Sequence, residues 1–346
     1  MKLKGLIFIS LLLTIAACGE SIDEDTTASE NEEVEAEEIG KIVTSLYPIE
    51  YIISEITGDL ATVETVIPPG ADAHVYEPST REMIELANSD AFFYIGEGME
   101  AFAETMANTI EDEGVYTLAL SNFEEELFME YEDDHKHDHD HEDDHNHEEE
   151  HDHEDEHNHD DDHSHDHDHD HGDFDPHFWL DPSRMISVGQ ILLDELSEIY
   201  PEHEDLLQEN YEQFANNMLE LDTNFQEALT VDQDVNILVA HGAFGYWEQS
   251  YGINQYSIRG LSSSQEPSQR ELQELFESLD ELNINHVFLE KNREDRLAYN
   301  IANEFDLAIY ELHNLETLTE EDIENDQDYI DIMLENLDLL LETIEE

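Results

Sequence analysis

Histidine is the residue type in this sequence with the clearest chemical potential, since 21 of the 346 residues are histidines. Fifteen of them lie between His135 and His171, where they mostly alternate with Asp or Glu, and six lie elsewhere. Neutral imidazole is a good ligand for zinc, copper and nickel, and nearby carboxylates raise the local concentration of cations. These residue types predict metal binding both in the repetitive tract and in the rest of the chain.

The tract, residues 132–173, has low sequence complexity and almost no apolar side chains. Such a segment cannot bury a core, so we expect it to be disordered and to offer many weak metal sites that exchange. A polar linker or a pH-sensitive polyampholyte is the alternative interpretation. Storage proteins and metal chaperones carry similar segments, so the tract alone does not identify the function. Weak, auxiliary metal binding is predicted at His135, His137, His139, His141, His145, His147, His151, His153, His157, His159, His163, His165, His167, His169 and His171.

Three of the remaining histidines lie where ligands gather in α/β proteins. His74 follows a predicted strand in the loop PPGADAHVYEPS, and His177 lies in DPHFWLDP, where the tract ends and a helical stretch begins. His241 closes the predicted strand NILVAH. In open α/β sheets, ligands bind at the carboxyl ends of the strands. Each position is therefore a candidate ligand, although a single histidine that ends a buried strand is more often structural.

The acidic partner of these histidines has two candidates. Glu290 ends the predicted strand HVFLE, and Glu316 follows the strand LAIYEL in the loop LHNLETLT. His313 lies in the same loop and could be a ligand or a donor to one. The last two histidines, His203 and His286, are expected to be structural or exposed.

The apolar pattern between these motifs predicts strands that alternate with helices, and hence parallel sheets covered on both faces. A helical stretch from Pro182 to about Leu229 separates two such series, and Pro201 is expected to break or kink it. A final helix is predicted over 319–344. We therefore expect an α/β fold of two lobes joined by a long helix, with the site in the cleft between them. The strands are predicted at 41–47, 61–67, 91–96, 115–120, 236–242, 253–258, 285–290 and 307–312.

The N-terminus has the form of a bacterial lipoprotein signal. Lys2 and Lys4 precede an apolar run that is too short to span a bilayer comfortably, and the run ends in Ala-Ala-Cys18. Cys18 is the only cysteine, so it has no partner for an internal disulfide. Lipidation of Cys18 is predicted, with an ordinary signal peptide as the alternative. The folded part is then expected outside the cytoplasmic membrane.

The charge of the chain is strongly negative, with 92 acidic residues against 11 basic ones. Phosphate binding needs a basic surface, so a nucleic-acid partner is not expected. A self-repulsion of this size favours expansion unless counter-ions screen it. Adaptation to saline or alkaline surroundings is one hypothesis, and acidity that merely keeps a surface protein soluble is the other.

Five motifs together resemble the zinc/manganese cluster of solute-binding proteins of ABC transporters, of the ZnuA/AdcA zinc-uptake type. They are GADAHVYEPS, DPHFWLDP, VAHGAFGYW, SSSQEPSQREL and LHNLETLT, and they follow family order over about residues 40–346. The resemblance implies that His74, His177, His241 and Glu316 are the metal ligands and that Glu290 is structural. The chain departs from the family at Asn314, where the family usually has proline.

The N-terminal signal, the composition of the segments and, from about residue 40, the resemblance together predict the organisation of the chain. The expected parts are a signal peptide at 1–18, an acidic disordered tether at 19–39, an N-terminal lobe at 40–131 and 174–181, the metal-binding loop at 132–173, a linker helix at 182–230, and a C-terminal lobe at 231–346.

The function implied is a monomeric, lipid-anchored receptor on the outer face of the cytoplasmic membrane that delivers Zn²⁺ to an ABC permease. Three imidazoles and one carboxylate suit tetrahedral zinc, whereas manganese prefers more oxygen ligands, so Mn²⁺ is the less favoured cargo. A manganese receptor and a zinc buffering or storage protein stay as alternatives. No enzyme is expected, because the sequence has no HExxH or comparable motif of a zinc hydrolase. An adhesin role is suggested only by relatives described in that way.

Overall fold

A computed structural model describes residues 40–96, 98–123, 127–130, 174–230, 235–282, 284–291 and 293–345. All of them lie in one compact unit, Glu37–Glu346. The predicted signal peptide with Cys18, the tether at 19–39 and the fifteen histidines of the tract lie outside the described residues, and their roles stay predictions.

The N-terminal lobe is built on a parallel four-stranded sheet in the order β2-β1-β3-β4. Its third strand is buried along its whole length, as expected for a strand covered on both faces. The elements are β1 Gly40–Thr44, α1 Tyr47–Thr57, β2 Ala61–Thr65, α2 Thr80–Leu86, β3 Ala91–Tyr94, α3 Ala103–Glu111 and β4 Tyr116–Ala119.

The C-terminal lobe repeats this plan with a second parallel sheet in the order β10-β9-β7-β8. The two sheets confirm the predicted α/β class. The elements are β7 Val235–His241, α6 Gly245–Tyr251, β8 Ile253–Arg259, α7 Gln269–Leu282, β9 His286–Glu290, α8 Arg296–Phe305 and β10 Ala308–Leu312.

Two helices fill the stretch between the lobes, α4 Pro182–Ile199 and α5 Glu204–Ala228. A short 3-10 turn at Pro201–His203 separates them, so the chain does break at the proline. The helices pack side by side, and a Cβ on Gly189 would come within 2.8 Å of the Phe214 ring. Because Gly189 has no Cβ, the two helices can approach closely at this point. The element that joins the lobes is therefore a packed pair of helices.

The predicted final helix over 319–344 is wrong in its middle. The structure has a short helix α9, Glu320–Glu324, followed by α10, Tyr329–Glu345. Thr319 and Asp322 form a capping box at the start of α9. The chain then leaves the helical conformation, with a positive φ of 54° at Asp326. Asn and Asp tolerate such turns well, so the sequence NDQD at 325–328 ends one helix before the next begins.

A pair of two-residue strands, β5 Met129–Glu130 and β6 Phe174–Asp175, joins the chain on either side of the tract. They pair antiparallel, with Met129 opposite Asp175. The two points where the tract leaves and rejoins the described chain are therefore neighbours. His177 follows β6 by two residues, so this pairing also helps to fix a candidate ligand.

One hydrophobic core extends through both lobes and the helix pair. It includes Ile52 of α1, Trp179, Phe214 of α5 and Trp247 of α6, all with no exposed surface. Since these side chains come from both lobes, the lobes are packed against each other through a shared core. Within the described residues, no helix is both long and apolar enough to cross a membrane.

Glu50 in α1 provides a test of this packing. Burial, and secondarily the charge of Glu64, raises the pKa of Glu50 to about 7 from 4.5. Between these pH values the folded chain binds more protons than the unfolded chain, so this group lowers the free energy of unfolding as pH rises. We expect Glu50→Gln to raise the free energy of unfolding by roughly 1–3 kcal/mol at pH 8 and by much less at pH 5. Urea unfolding of the metal-free protein at both pH values measures this, and an equal effect at both would contradict it.

Candidate metal centre

Four side chains from separate parts of the sequence meet in the cleft between the lobes. One ligand atom from each of His74, His177, His241 and Glu316 lies within 4.8 Å of the other three. The ring centroids of the three histidines are 5.4–5.8 Å apart. These are the four residues that the resemblance selected, and two come from each lobe.

His74 lies on the loop that follows β2, and this loop is tied to the C-terminal lobe. The Gly70 amide donates to the Leu318 carbonyl at 2.9 Å, and the Thr317 hydroxyl donates to the Ala71 carbonyl at 3.3 Å. The Ala73 amide donates to Oε2 of Glu316 at 3.4 Å. The loop therefore brings His74 to Glu316, with 3.8 Å between Nε2 and Oε1.

His177 is fully buried and held by Asp175 of β6. One carboxylate oxygen, Oδ1, accepts the His177 backbone amide at 2.9 Å and lies 2.7 Å from the ring Nδ1. A carboxylate on one ring nitrogen fixes the orientation of the imidazole and leaves the other nitrogen to a metal. Asp175 thus directs Nε2 of His177 into the cluster.

His241 is the last residue of β7 and forms a close ion pair with a second carboxylate. Its Nδ1 lies 2.6 Å from Oε1 of Glu290, which ends the neighbouring strand β9. The same oxygen accepts the side-chain amide of Asn314 at 2.6 Å. Glu290 is thus outside the four-residue cluster and orients a candidate ligand, a more specific role than the structural one that the resemblance implied.

Glu316 lies on a loop whose backbone is held at several points. Leu315 has a positive φ of 59°, which is costly for a bulky side chain. Its amide donates to Nδ1 of His313 at 2.9 Å, and its side chain is fully buried. The Glu316 amide donates to the side-chain oxygen of Asn314, and its carbonyl accepts the Tyr47 amide of α1. These contacts hold the loop in the conformation that points Glu316 into the cleft.

The atoms that face the centre of the cluster share a chemical property. Among the described residues, Nε2 of His74, Nε2 of His177, Nε2 of His241 and Oε1 of Glu316 are all buried without a hydrogen-bond partner. Buried polar atoms are normally satisfied, and leaving several unsatisfied in one place is costly. Their separation of 3.8 Å in two pairs is close to the ~3.3 Å edge of a tetrahedral zinc site. The arrangement fits a cation bound by four ligands.

The charges around the cluster also favour a cation. Burial, followed by the positive charges that His177 and His241 would carry, lowers the pKa of His74 well below 6.5. Burial, and next the charge of Glu290, raises the pKa of Glu316 to about 8. His74 is therefore kept neutral, as a metal ligand must be, and the carboxylate of Glu316 needs a positive partner to ionise readily.

The pKa shifts of His241 and of the neighbouring Glu290 are opposite in direction to those of His74 and Glu316. Burial opposes the charge on both groups, but their mutual attraction outweighs it and raises the pKa of His241 above 6.5. The same attraction, with Arg293 and Asn314, lowers the pKa of Glu290 to about 2 despite its burial. Glu290 is therefore an anion beside the candidate ligand, which makes the imidazole a stronger donor to a metal.

The remaining histidines outside the tract do not join the cluster. His313 lies with Nε2 2.9 Å from Oδ2 of Asp322, and its Nδ1 accepts the Leu315 amide, so it supports the loop that carries Glu316. His203 lies in the 3-10 turn between α4 and α5, and His286 begins β9. Two roles were left open for His313, ligand and donor to a ligand, and its contacts with Asp322 and Leu315 give it neither; it supports the loop instead.

Comparison with known proteins identifies the family. Residues 42–343 match the family model ZnuA, described as the zinc-uptake complex component A, periplasmic. The chain belongs to this family. The zinc-binding lipoprotein AdcA of Streptococcus pneumoniae R6 is 31% identical over 312 residues, which is 88% of this chain and 56% of that protein. This ZnuA-family chain therefore spans only a little over half the length of that relative.

A relative of matching length and a solved structure agree with the ZnuA assignment. The high-affinity zinc uptake system protein ZnuA of Bacillus subtilis is 26% identical over 345 residues, covering 99% of this chain and 98% of that protein. The Zn(II)-bound ZnuA-like domain of S. pneumoniae AdcA superposes with a TM-score of 0.66 at 28% identity. It covers 89% of this chain and 99% of the domain, so the ZnuA-type fold extends over nearly all of the chain.

Proposed function

We propose that this protein is an extracellular receptor that captures Zn²⁺ in the interlobe cleft and delivers it to the permease of an ABC importer. The observation that carries the proposal is the cluster of four buried, unsatisfied ligand atoms contributed by both lobes. The zinc-uptake family and the zinc-binding names of its relatives support it. Lipidation at Cys18 would hold the receptor, as a monomer, on the outer face of the cytoplasmic membrane.

The ligand set favours zinc over manganese as the cargo. Three imidazole nitrogens and one carboxylate oxygen make a closed tetrahedral set, which zinc accepts readily. Manganese prefers more oxygen ligands and a higher coordination number. A catalytic zinc would keep an open position for water, whereas four side chains converge on this centre, so we propose no enzymatic role.

Capture and release follow from where the ligands lie. His74 and His177 belong to the N-terminal lobe, and His241 and Glu316 belong to the C-terminal lobe, so the metal would bridge the two. The shared core and the interlobe hydrogen bonds favour small movements over a wide hinge motion. Docking on the permease would then release the metal by displacing one lobe's ligands relative to the other's.

Zinc buffering by the histidine tract is the second candidate function, favoured by the fifteen histidines between His135 and His171. In a receptor the tract would bind zinc weakly and raise its concentration near the cleft. In a buffering protein the tract itself would be the functional part. The two differ in whether one tight site survives without the tract.

Calorimetric titration of the mature chain, and of a variant in which a short turn replaces residues 132–173, distinguishes these functions. The pairing of β5 with β6 makes this replacement feasible, because the residues on either side of the tract are already neighbours. We expect the shortened protein to keep one tight zinc site per chain, to bind manganese more weakly, and to lose the weak zinc sites. A shortened protein that is folded by circular dichroism but binds no zinc tightly would contradict the receptor and favour buffering.

A further inference from the structure

Basic side chains are scarce in this chain, which has 11 Lys and Arg residues against 92 Asp and Glu. Two of them, Lys291 and Arg293, nevertheless line one cavity of about 50 Å³ beside Glu316. Asp72 from the N-terminal lobe and Glu290 from the C-terminal lobe line the same cavity. This cavity therefore places two of the few basic side chains among three carboxylates, one of which is the candidate ligand Glu316.

The guanidinium of Arg293 contacts carboxylates of both lobes. Its Nη2 lies 2.9 Å from Oδ2 of Asp72, on the loop that follows β2. Its Nη1 donates to Oε2 of Glu290, at the end of β9, at 3.0 Å. Arginine presents its donors in a rigid planar fork and can hold two carboxylates at once in fixed geometry, which lysine does less well.

Each of these two carboxylates also holds a candidate metal ligand. Oδ1 of Asp72 accepts the backbone amide of His74 at 3.1 Å. Oε1 of Glu290 lies 2.6 Å from Nδ1 of His241. A continuous path of contacts therefore runs from His74 through Asp72, Arg293 and Glu290 to His241, and joins ligands of opposite lobes without passing through the metal.

We propose that Arg293 is a positioning residue that clamps the His74 loop to the Glu290–His241 pair and so slows the escape of the bound metal. The proposal rests on the zinc site proposed above. In the clamped arrangement the two lobes hold their ligands at the correct separation before and after metal binding. Breaking either contact of the guanidinium weakens the link between the ligands of the two lobes, while the hydrogen bonds of Gly70, Ala71 and Ala73 to the C-terminal lobe remain.

The test is the rate of zinc dissociation from the full mature chain, measured by stopped flow against excess chelator. Weakly bound zinc from the tract leaves in a fast phase, and the slow phase lost in His241→Ala is assigned to the cleft. We expect Arg293→Met and Asp72→Asn each to accelerate that slow phase about tenfold, the lower range for removing a residue that supports a metal ligand. The double variant is expected to be no faster than Arg293→Met, because both changes break the same link.

Two further variants separate the clamp from a general loss of stability. Arg293→Lys retains the charge but not the fork, so it is expected to accelerate release nearly as much as Arg293→Met. Arg259→Met removes an Arg–Asp pair within the C-terminal lobe, where Arg259 Nε lies 3.0 Å from Asp295, and should leave the slow phase unchanged.

Added salt should accelerate release from the parent chain and from Arg259→Met but not from Arg293→Met, because salt screens partly exposed charges.

The outcomes distinguish the clamp from the site itself. A parent chain without a slow phase that depends on His241 would overturn the proposed zinc site. A parent chain with that phase, combined with unchanged rates in Arg293→Met and Asp72→Asn, would overturn the clamp alone. Rate increases that multiply in the double variant would also overturn it, since independent effects cannot arise from one shared contact.

Discussion

Replacing His241 with alanine is expected to weaken zinc binding in the cleft by about a hundred- to a thousandfold. Four-ligand zinc sites bind with about 10–16 kcal/mol, so one ligand accounts for roughly a quarter of this energy. The remaining two histidines and Glu316 would still hold the ion, but with an open coordination position. Competition with a chromophoric chelator measures the affinity, and it is best done on the shortened chain so that the tract does not contribute.

His203→Ala is the matched control for this variant. It removes an imidazole from the turn between α4 and α5, outside the four-residue cluster, and should leave the tight site unchanged. The unfolding midpoint of the metal-free proteins is needed as well, because alanine at 241 leaves Glu290 without its imidazole neighbour. A folded His241→Ala protein that binds zinc as tightly as the parent would exclude this residue as a ligand.

The sequence predicted the fold well because both lobes follow a simple local rule. Short β-branched and aromatic runs such as 91–96 and 285–290 alternate with amphipathic segments, and this pattern specifies a parallel sheet. The proline at 201 also signalled the break between α4 and α5. The prediction of one final helix failed because Ile323 and Ile330, on either side of 325–328, are seven residues apart and so fit helical spacing. The turn between them depends on backbone conformations that spacing does not reveal.

The four clustered side chains were predicted from the order of the five family motifs, since each histidine taken alone is ambiguous. What the sequence did not reveal is how they are held. Asp175 lies two residues before His177 and could have been suspected, but Glu290 meets His241, and Asn314 meets Glu290, only through the packing of the C-terminal lobe. Contacts between residues far apart in the chain follow from tertiary structure, and no local pattern predicts them.

Asn314 stands where the family usually has proline, and its side-chain contacts explain how the loop accommodates this difference. Its side chain donates to Glu290, accepts the Glu316 amide, and so connects the two acidic residues of the site. Proline has no side-chain amide and could make neither contact. The asparagine therefore offers the loop a hydrogen-bonded support, and the change need not weaken the role proposed for Glu316.

Replacing Trp179 is expected to affect both the stability of the fold and the metal site. Trp179 is fully buried, its Nε1 donates to the Asn314 carbonyl at 2.8 Å, and its own carbonyl accepts the Tyr329 hydroxyl of α10. Trp179→Ala should lower the free energy of unfolding by about 3–5 kcal/mol through the cavity that it leaves. Trp179→Phe keeps most of the apolar bulk but leaves a carbonyl unsatisfied, at a cost of about 1–3 kcal/mol.

The second tryptophan of the chain gives a matched control that separates stability from binding. Trp247 is equally buried, and its Nε1 donates to the Leu180 carbonyl at 2.8 Å and not to the loop that carries Glu316. Both Trp→Phe variants should therefore lose similar stability in urea unfolding, followed by the fluorescence of the remaining tryptophan. Only Trp179→Phe should also weaken zinc binding, because it releases the backbone of Asn314, which supports Glu290 and Glu316. Equal zinc affinities in the two variants would mean that the loop keeps its conformation without the indole, and that the contacts of Asn314, His313 and Tyr47 suffice to hold it.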